Sequence, residues 1–278
     1  MKLIHKVEDC VVYKGNDSTY FLKIPSSPEL LRAIKDAGTI KHVIKKSSST
    51  TSTSDTLKFK ATRVESLKQF IENMHDNNHN NHNNHNNHNN HNNHNNHIHN
   101  KNMDGLIYTL VLKLLADVGT LLQYAISEYG RAIPFFSLED IIVIENEAAS
   151  TTEPPTFDFV FINGEKLLQI SRDRETKTNK CNNRALRVDV PLQVNKHTSF
   201  LPLELAESEL KHLPMHLTTT SWLYSLSSLC IYALLNYKFK NGEDDIERVG
   251  RPFLHTSLYF CLKRCMKTKP EKRVLLYV

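Results

Sequence analysis

The 278-residue chain has five cysteines and no CxxC pair. Cys10, Cys181, Cys230, Cys261 and Cys265 are scattered and odd in number, which argues against a disulfide framework. No HExxH is present, so zinc hydrolysis has no support, and no G-x-S-x-G elbow supports a serine hydrolase. The first residues hold no long apolar run, because Lys2, His5 and Lys6 interrupt it; a secretory signal is not expected. A reducing intracellular location, cytoplasmic or nuclear rather than secreted, fits the cysteine usage. Charge of one sign is also scarce: 35 Lys and Arg stand against 30 Asp and Glu, a formal net charge of +5. That is too mild for an expected nucleic-acid partner. The densest basic stretch, Lys263 to Arg273, reads as the solvated face of a terminal helix.

Leu217 to Tyr237 carries no charged residue, about the length of a membrane span. Its Thr218, Thr219, Thr220, Ser221, Ser225, Ser227, Ser228 and Asn236 weaken that reading. A central buried helix is expected instead, and no membrane is expected as a partner.

Apolar residues make up 40% of the chain, and one Asn/His tract lowers the average. The unit His-Asn-Asn repeats from His79 to His97. Such a segment cannot build an apolar core, so residues 76–100 are expected to be a disordered insertion. It divides the chain into a β-rich part with a helix, residues 1–75, and a helical part, residues 101–278. The fold class expected from this order is α+β.

Before the tract, Val11 to Tyr13 and Tyr20 to Ile24 flank a Gly15-Asn16-Asp17 turn and read as a hairpin. Ser27 is a candidate N-cap with Pro28 at the first helical position. Ser47 to Ser54 reads as a loop, Thr56 to Lys60 as a strand, and Val64 to Met74 as a helix. After the tract, Leu106, Leu110, Leu114, Val118, Leu121 and Ala125 recur at helical spacing, ending at Gly130. Ile141 to Ile144 reads as a buried strand, and Glu145 to Pro155 as a polar loop. Phe157 to Phe161 and Lys166 to Ile170 flank Asn163-Gly164, a hairpin signal. Ser171 to Ser199 reads as a long loop, and helices are expected over about 203–211, 217–236 and 255–267.

This order of elements resembles the protein-kinase family, and particular residues carry the resemblance. Tyr20-Phe21-Leu22-Lys23 is similar to the strand that holds the ATP-contacting lysine, with Glu29 as its partner in the next helix. Phe200 to Leu205 resembles the end of an activation segment. Trp222-Leu223-Tyr224-Ser225-Leu226 resembles the central helix of the large lobe. Leu262 to Met266, followed by Lys269-Pro270-Glu271-Lys272-Arg273, resembles the family's C-terminal signature. The resemblance implies a bilobal kinase-like fold and a structural salt bridge between Glu204 and Arg273.

The same resemblance exposes what is missing. Residues 1–14 contain no glycine, so no glycine-rich phosphate loop precedes Val12. Phe135 stands where the catalytic aspartate belongs, Ser137 replaces the usual lysine, and Asp140 replaces the metal-binding asparagine. As an oxygen donor Asp140 is a candidate Mg²⁺ ligand. Neither Ile162-Asn163-Gly164 nor Gln169-Ile170-Ser171 supplies the second metal-binding carboxylate. Loss of the base alone costs roughly 10²–10⁴ in rate. The expectation is a pseudokinase that binds or scaffolds a protein partner; no cofactor is fixed, and Mg-ATP is the candidate. One alternative is a divergent active serine/threonine kinase. It would use Mg-ATP, with Lys23 on the phosphates, Asp140 on the metal and an acid such as Asp158 or Asp173 as substitute. Another is an unrelated α+β interaction protein.

Overall fold

The computed structural model describes residues 1–44, 56–83, 105–147, 154–172, 184–188, 194–195, 197–207, 215–240 and 243–275. Three N-terminal strands open the chain: β1 (Lys2–Val7), β2 (Cys10–Lys14) and β3 (Thr19–Lys23). The β2–β3 turn places Asp17 and Ser18 at positive φ, the type I′ geometry that matches strand twist. Ser27 Oγ then accepts the Leu30 N–H and caps α1 (Pro28–Asp36), whose Leu30, Leu31, Ala33 and Ile34 are buried. After β4 (Thr56–Lys60), the sheet is complete in the order β1-β2-β3-β4, all antiparallel.

The expected helix over Val64 to Met74 begins later than its pattern suggests. Arg63–Ser66 is a strand, β5, and α2 (Leu67–Asn83) follows it without a break. Val64 is drawn into the strand because it pairs with Ile144 across a sheet. The helix continues to Asn83, so the first residues of the Asn/His tract are helical; residues 84–100 lie outside the described residues, as does the Ser/Thr run 47–54.

α3 (Gly105–Tyr129) packs on α1, α5 and β9 and ends at Gly130, whose φ of +59° favours glycine. It is the helix, among the described residues, that is long and apolar enough to cross a membrane; here most of its apolar residues line the core and Leu106 is exposed. Two short strands, β6 (Arg131–Ala132) and β7 (Phe136–Ser137), lead through a 3₁₀ turn to β8 (Ile141–Asn146). β8 pairs with β9 (Thr156–Phe161) and with β5, giving a three-stranded sheet whose strands come from both sides of the tract.

The Asn163-Gly164 hairpin does not form. β10 (Leu168–Arg172) turns away from β9 to pair with β6 and with β11 (Arg184–Val188). β11 lies within the segment expected to be loop; Leu186 and Val188 face inward and Arg187 outward, the alternation of a strand with one covered face. β12 (Ser199–Phe200) pairs with β7, α4 (Leu203–Glu207) follows, and β13 (Met215–Thr218) pairs with β11.

The expected helix over 217–236 is α5 (Ser221–Leu235), its first residues going to β13 instead. Every residue of α5 except Tyr232 and Leu235 is buried, which accounts for its lack of charge. Its 15 residues span about 22 Å, short of a bilayer core. α6 (Ile246–Val249) and α7 (Ser257–Cys265) complete the chain. The fold is α+β, and after the tract the short strands β6 to β13 accompany the helices α3 to α7.

Candidate functional site

Asp140 ends the 3₁₀ turn between β7 and β8 and is 1% exposed. Burying a carboxylate without partners is costly, and every donor it needs comes from the chain. Its Oδ2 accepts the Ser137 N–H at 2.7 Å and the Lys166 ammonium at 2.6 Å. Its Oδ1 accepts the Asn163 side-chain amide at 2.8 Å.

Lys166 closes the turn after β9 and is 8% exposed. Its Nζ also donates to Ser137 Oγ at 2.9 Å, and Ser137 Oγ lies 2.9 Å from Ser199 Oγ on β12. The same ammonium stands 4.2 Å from the centre of the Phe135 ring, on whose face it finds negative potential. Phe135 is fully buried against Ala132, Ile170, Leu186, Val188, Leu205 and Leu217. So one cation is held by a carboxylate, a hydroxyl and an aromatic face. Asp140, a candidate metal ligand by its type, is paired with Lys166.

The surrounding segments press onto this cluster. A Cβ on Gly164 would lie 2.7 Å from both Ser26 Oγ and Ser27 Cβ, so the turn touches the β3–α1 corner directly. Asp9, at the tip of the β1–β2 hairpin, accepts the Ser26 N–H at 2.6 Å and its hydroxyl at 2.9 Å. His5 Nε2 lies 2.9 Å from the Glu139 carbonyl oxygen. Desolvation, then Glu8 and Asp9, push the neighbouring Glu165 carboxyl up. Lys23 is exposed at the end of β3, and no ion pair joins it to Glu29.

Ser225 of α5 ties two of these segments to the core. Its Oγ accepts the Phe136 N–H at 2.7 Å and donates to the Phe200 carbonyl.

Glu204 and Arg273 are brought together. Arg273 Nη1 and Nη2 donate to the two Glu204 oxygens at 2.7 and 2.8 Å, the parallel geometry of a bidentate pair. Ser221 Oγ donates to Glu204 at 2.6 Å, and Arg273 Nε donates to the Lys267 carbonyl at 2.8 Å. The guanidinium also covers the Tyr224 ring at 5.0 Å. Burial pushes the Glu204 carboxyl up, but the hydrogen bonds from Arg273 and Ser221 outweigh it and hold it below its ordinary value.

Asp158 stands three rungs from the Asp140 end of the β8–β9 ladder, about 10 Å away. It is bound to Lys113 at 3.5 Å, to the Lys41 N–H at 3.3 Å and to the Asn146 amide at 3.0 Å. Asp173 lies outside the described residues. Burial pushes the Cys10 thiol up to about 12, removing it as a nucleophile.

Lys166, Asn163, Ser199 and Ser225 were not legible as site residues. Lys166 reads as a strand-end lysine, and its partner lies 26 residues earlier. A charged residue beside a turn is expected in solvent, and only the fold shows that this one is buried.

No family model and no curated protein sequence matches the chain. Among solved structures, the PknI kinase domain of Mycobacterium tuberculosis is similar at 10% identity and a TM-score of 0.43, covering 98% of this chain and 89% of that one. A point variant of that domain is similar at 11% identity and a TM-score of 0.44, covering 98% and 88%.

Proposed function

We propose that this chain is a protein-kinase-like protein that transfers no phosphate and works as a binding module for another protein. In this reading the sheet β1-β2-β3-β4 with α1 is the small lobe, and the remainder is the large lobe around α5.

The observation that carries the reading is the Lys166–Asp140 pair. Asp140 holds the place that the resemblance gives to a metal ligand, and a lysine ammonium already neutralises it. Phe135, at the place of the catalytic aspartate, can neither accept a proton nor orient a hydroxyl. Lys23 and Glu29 are not joined, and the β1–β2 hairpin is tied down on Ser26 and Glu139. The donor set therefore does not fit Mg-ATP. The four described cysteines are free and buried, which supports a reducing cytoplasmic or nuclear compartment.

Thermal unfolding with and without Mg-ATP tests this. A ligand at 100-fold over its dissociation constant would add about 2.7 kcal/mol, a shift of several degrees. The expected result is no shift and no phosphate incorporated into a peptide substrate. A shift that Lys23→Met abolishes, together with phosphate transfer, would overturn the reading.

A further inference from the structure

Among the described residues six large apolar side chains are exposed, and three of them lie on or beside α7: Leu254 at 39%, Phe260 at 45% and Val274 at 45%. Arg264, Lys267, Lys269 and Lys272 lie in the same short stretch and are exposed. No carboxylate among the described residues pairs with any of the four. Lys263, the neighbouring cation, is by contrast paired with Glu247. A single acid, Glu271, interrupts the cationic run.

Phe260, Val274 and the four cations lie on α7 and on the segment that directly follows it. Phe260 and Arg264, four residues apart, lie on the side of α7 opposite its buried Leu258, Cys261, Leu262 and Cys265, and Lys267 follows just after the helix ends. The Val274 carbonyl accepts from the Cys265 thiol at 3.4 Å, which holds the segment after the turn against the end of α7. Lys269 and Lys272 sit on a 3₁₀ turn that is fixed from below: Thr220 Oγ1 donates to the Pro270 carbonyl at 2.8 Å, and Arg273 is anchored on Glu204. The cations are therefore displayed on a rigid support, and binding an anion there orders little backbone.

We propose that the outer face of α7 and the turn after it form a docking surface for an acidic polypeptide segment carrying one apolar side chain. This surface gives the binding module its partner class, and the proposal rests on that reading of the function. Cations without a carboxylate partner among the described residues supply charge complementarity, and Phe260 supplies an apolar contact. A bilayer fits less well. Membrane-surface helices turn a whole apolar face outward, and the apolar face of α7 is spent on the core.

The test is fluorescence anisotropy with a panel of labelled twelve-residue peptides. Each carries six Asp or Glu and one Phe or Leu, placed at each position in turn. Vesicles of phosphatidylserine and phosphatidylcholine and an oligouridylate are the comparison ligands. Expected is micromolar binding of at least one peptide, weakened by tenfold or more in the variant Arg264→Gln, Lys267→Gln, Lys269→Gln, Lys272→Gln. Phe260→Ser should weaken it by about threefold or more, and Arg63→Gln, on the distant β5, should leave it unchanged. All these side chains are exposed, and melting temperatures within a degree of the parent would verify folding. No binding across the panel, binding indifferent to the charge variant, or preference for vesicles or RNA overturns the proposal. Phosphate transfer from Mg-ATP would instead overturn the binding-module reading while leaving the docking result intact.

Discussion

Lys166 carries its charge into the interior, and its surroundings explain how the fold tolerates it. Two oxygens and a ring face replace the water it gives up, and Asp140 gains a counter-ion in return. The two charges are thus mutually dependent. Lys166→Met should destabilise the protein by about 3–5 kcal/mol, because it leaves the Asp140 carboxylate buried beside only two neutral donors. Lys166→Met with Asp140→Asn should cost less than the single change, since no uncompensated charge remains. Urea midpoints of the two variants decide this. Equal losses would mean that the carboxylate is hydrated rather than sealed.

At the scale of elements, Asn163-Gly164 is the instructive case. That dipeptide promises a two-residue hairpin because both positions accept positive φ. Here Asn163 has a φ of −78°, and its amide is turned to Asp140. Gly164 is required for closeness rather than for chirality: the β3–α1 corner occupies the space of its missing side chain. Gly164→Ala should therefore cost about 1–3 kcal/mol, read as a lowered melting temperature. A neutral result would show that the corner and the turn separate easily. The elements legible in the sequence were those with a long or unmixed pattern: α3 by its 3.6-residue period, β2 and β3 by their turn, α1 by its cap. β5 was hidden because Val64-Glu65-Ser66 runs straight into a helical pattern. β11 was hidden because its two buried residues, Leu186 and Val188, are set among polar ones.

Across the whole molecule, Glu204 and Arg273 join segments 69 residues apart. This pairing was legible because each residue stands in its own recognisable motif. The Asp140 cluster was not, because its partners meet only through strand order. A double-mutant cycle on Glu204→Gln and Arg273→Met should give a coupling of about 1–3 kcal/mol; purely additive losses would count against a kinase-like arrangement. The pair also sets a pH dependence. The folded carboxyl lies below its ordinary 4.5, so the unfolded chain binds the proton first. The stabilisation is complete above that ordinary value and is lost as pH falls through the lowered one. Comparison of unfolding free energies between pH 7 and pH 3 should show a smaller acid loss in Glu204→Gln than in the parent.

The β5–β8 ladder joins Ser66 to Ile142 and so closes a loop that contains α2, the Asn/His repeat and α3. The entropy of closing such a loop grows only with the logarithm of its length. Twelve further residues between Asn83 and Gly105 would change stability by about 0.4 kcal/mol. The fold is thus thermodynamically almost blind to repeat number, and slippage within the tract can lengthen or shorten it without selection on stability noticing.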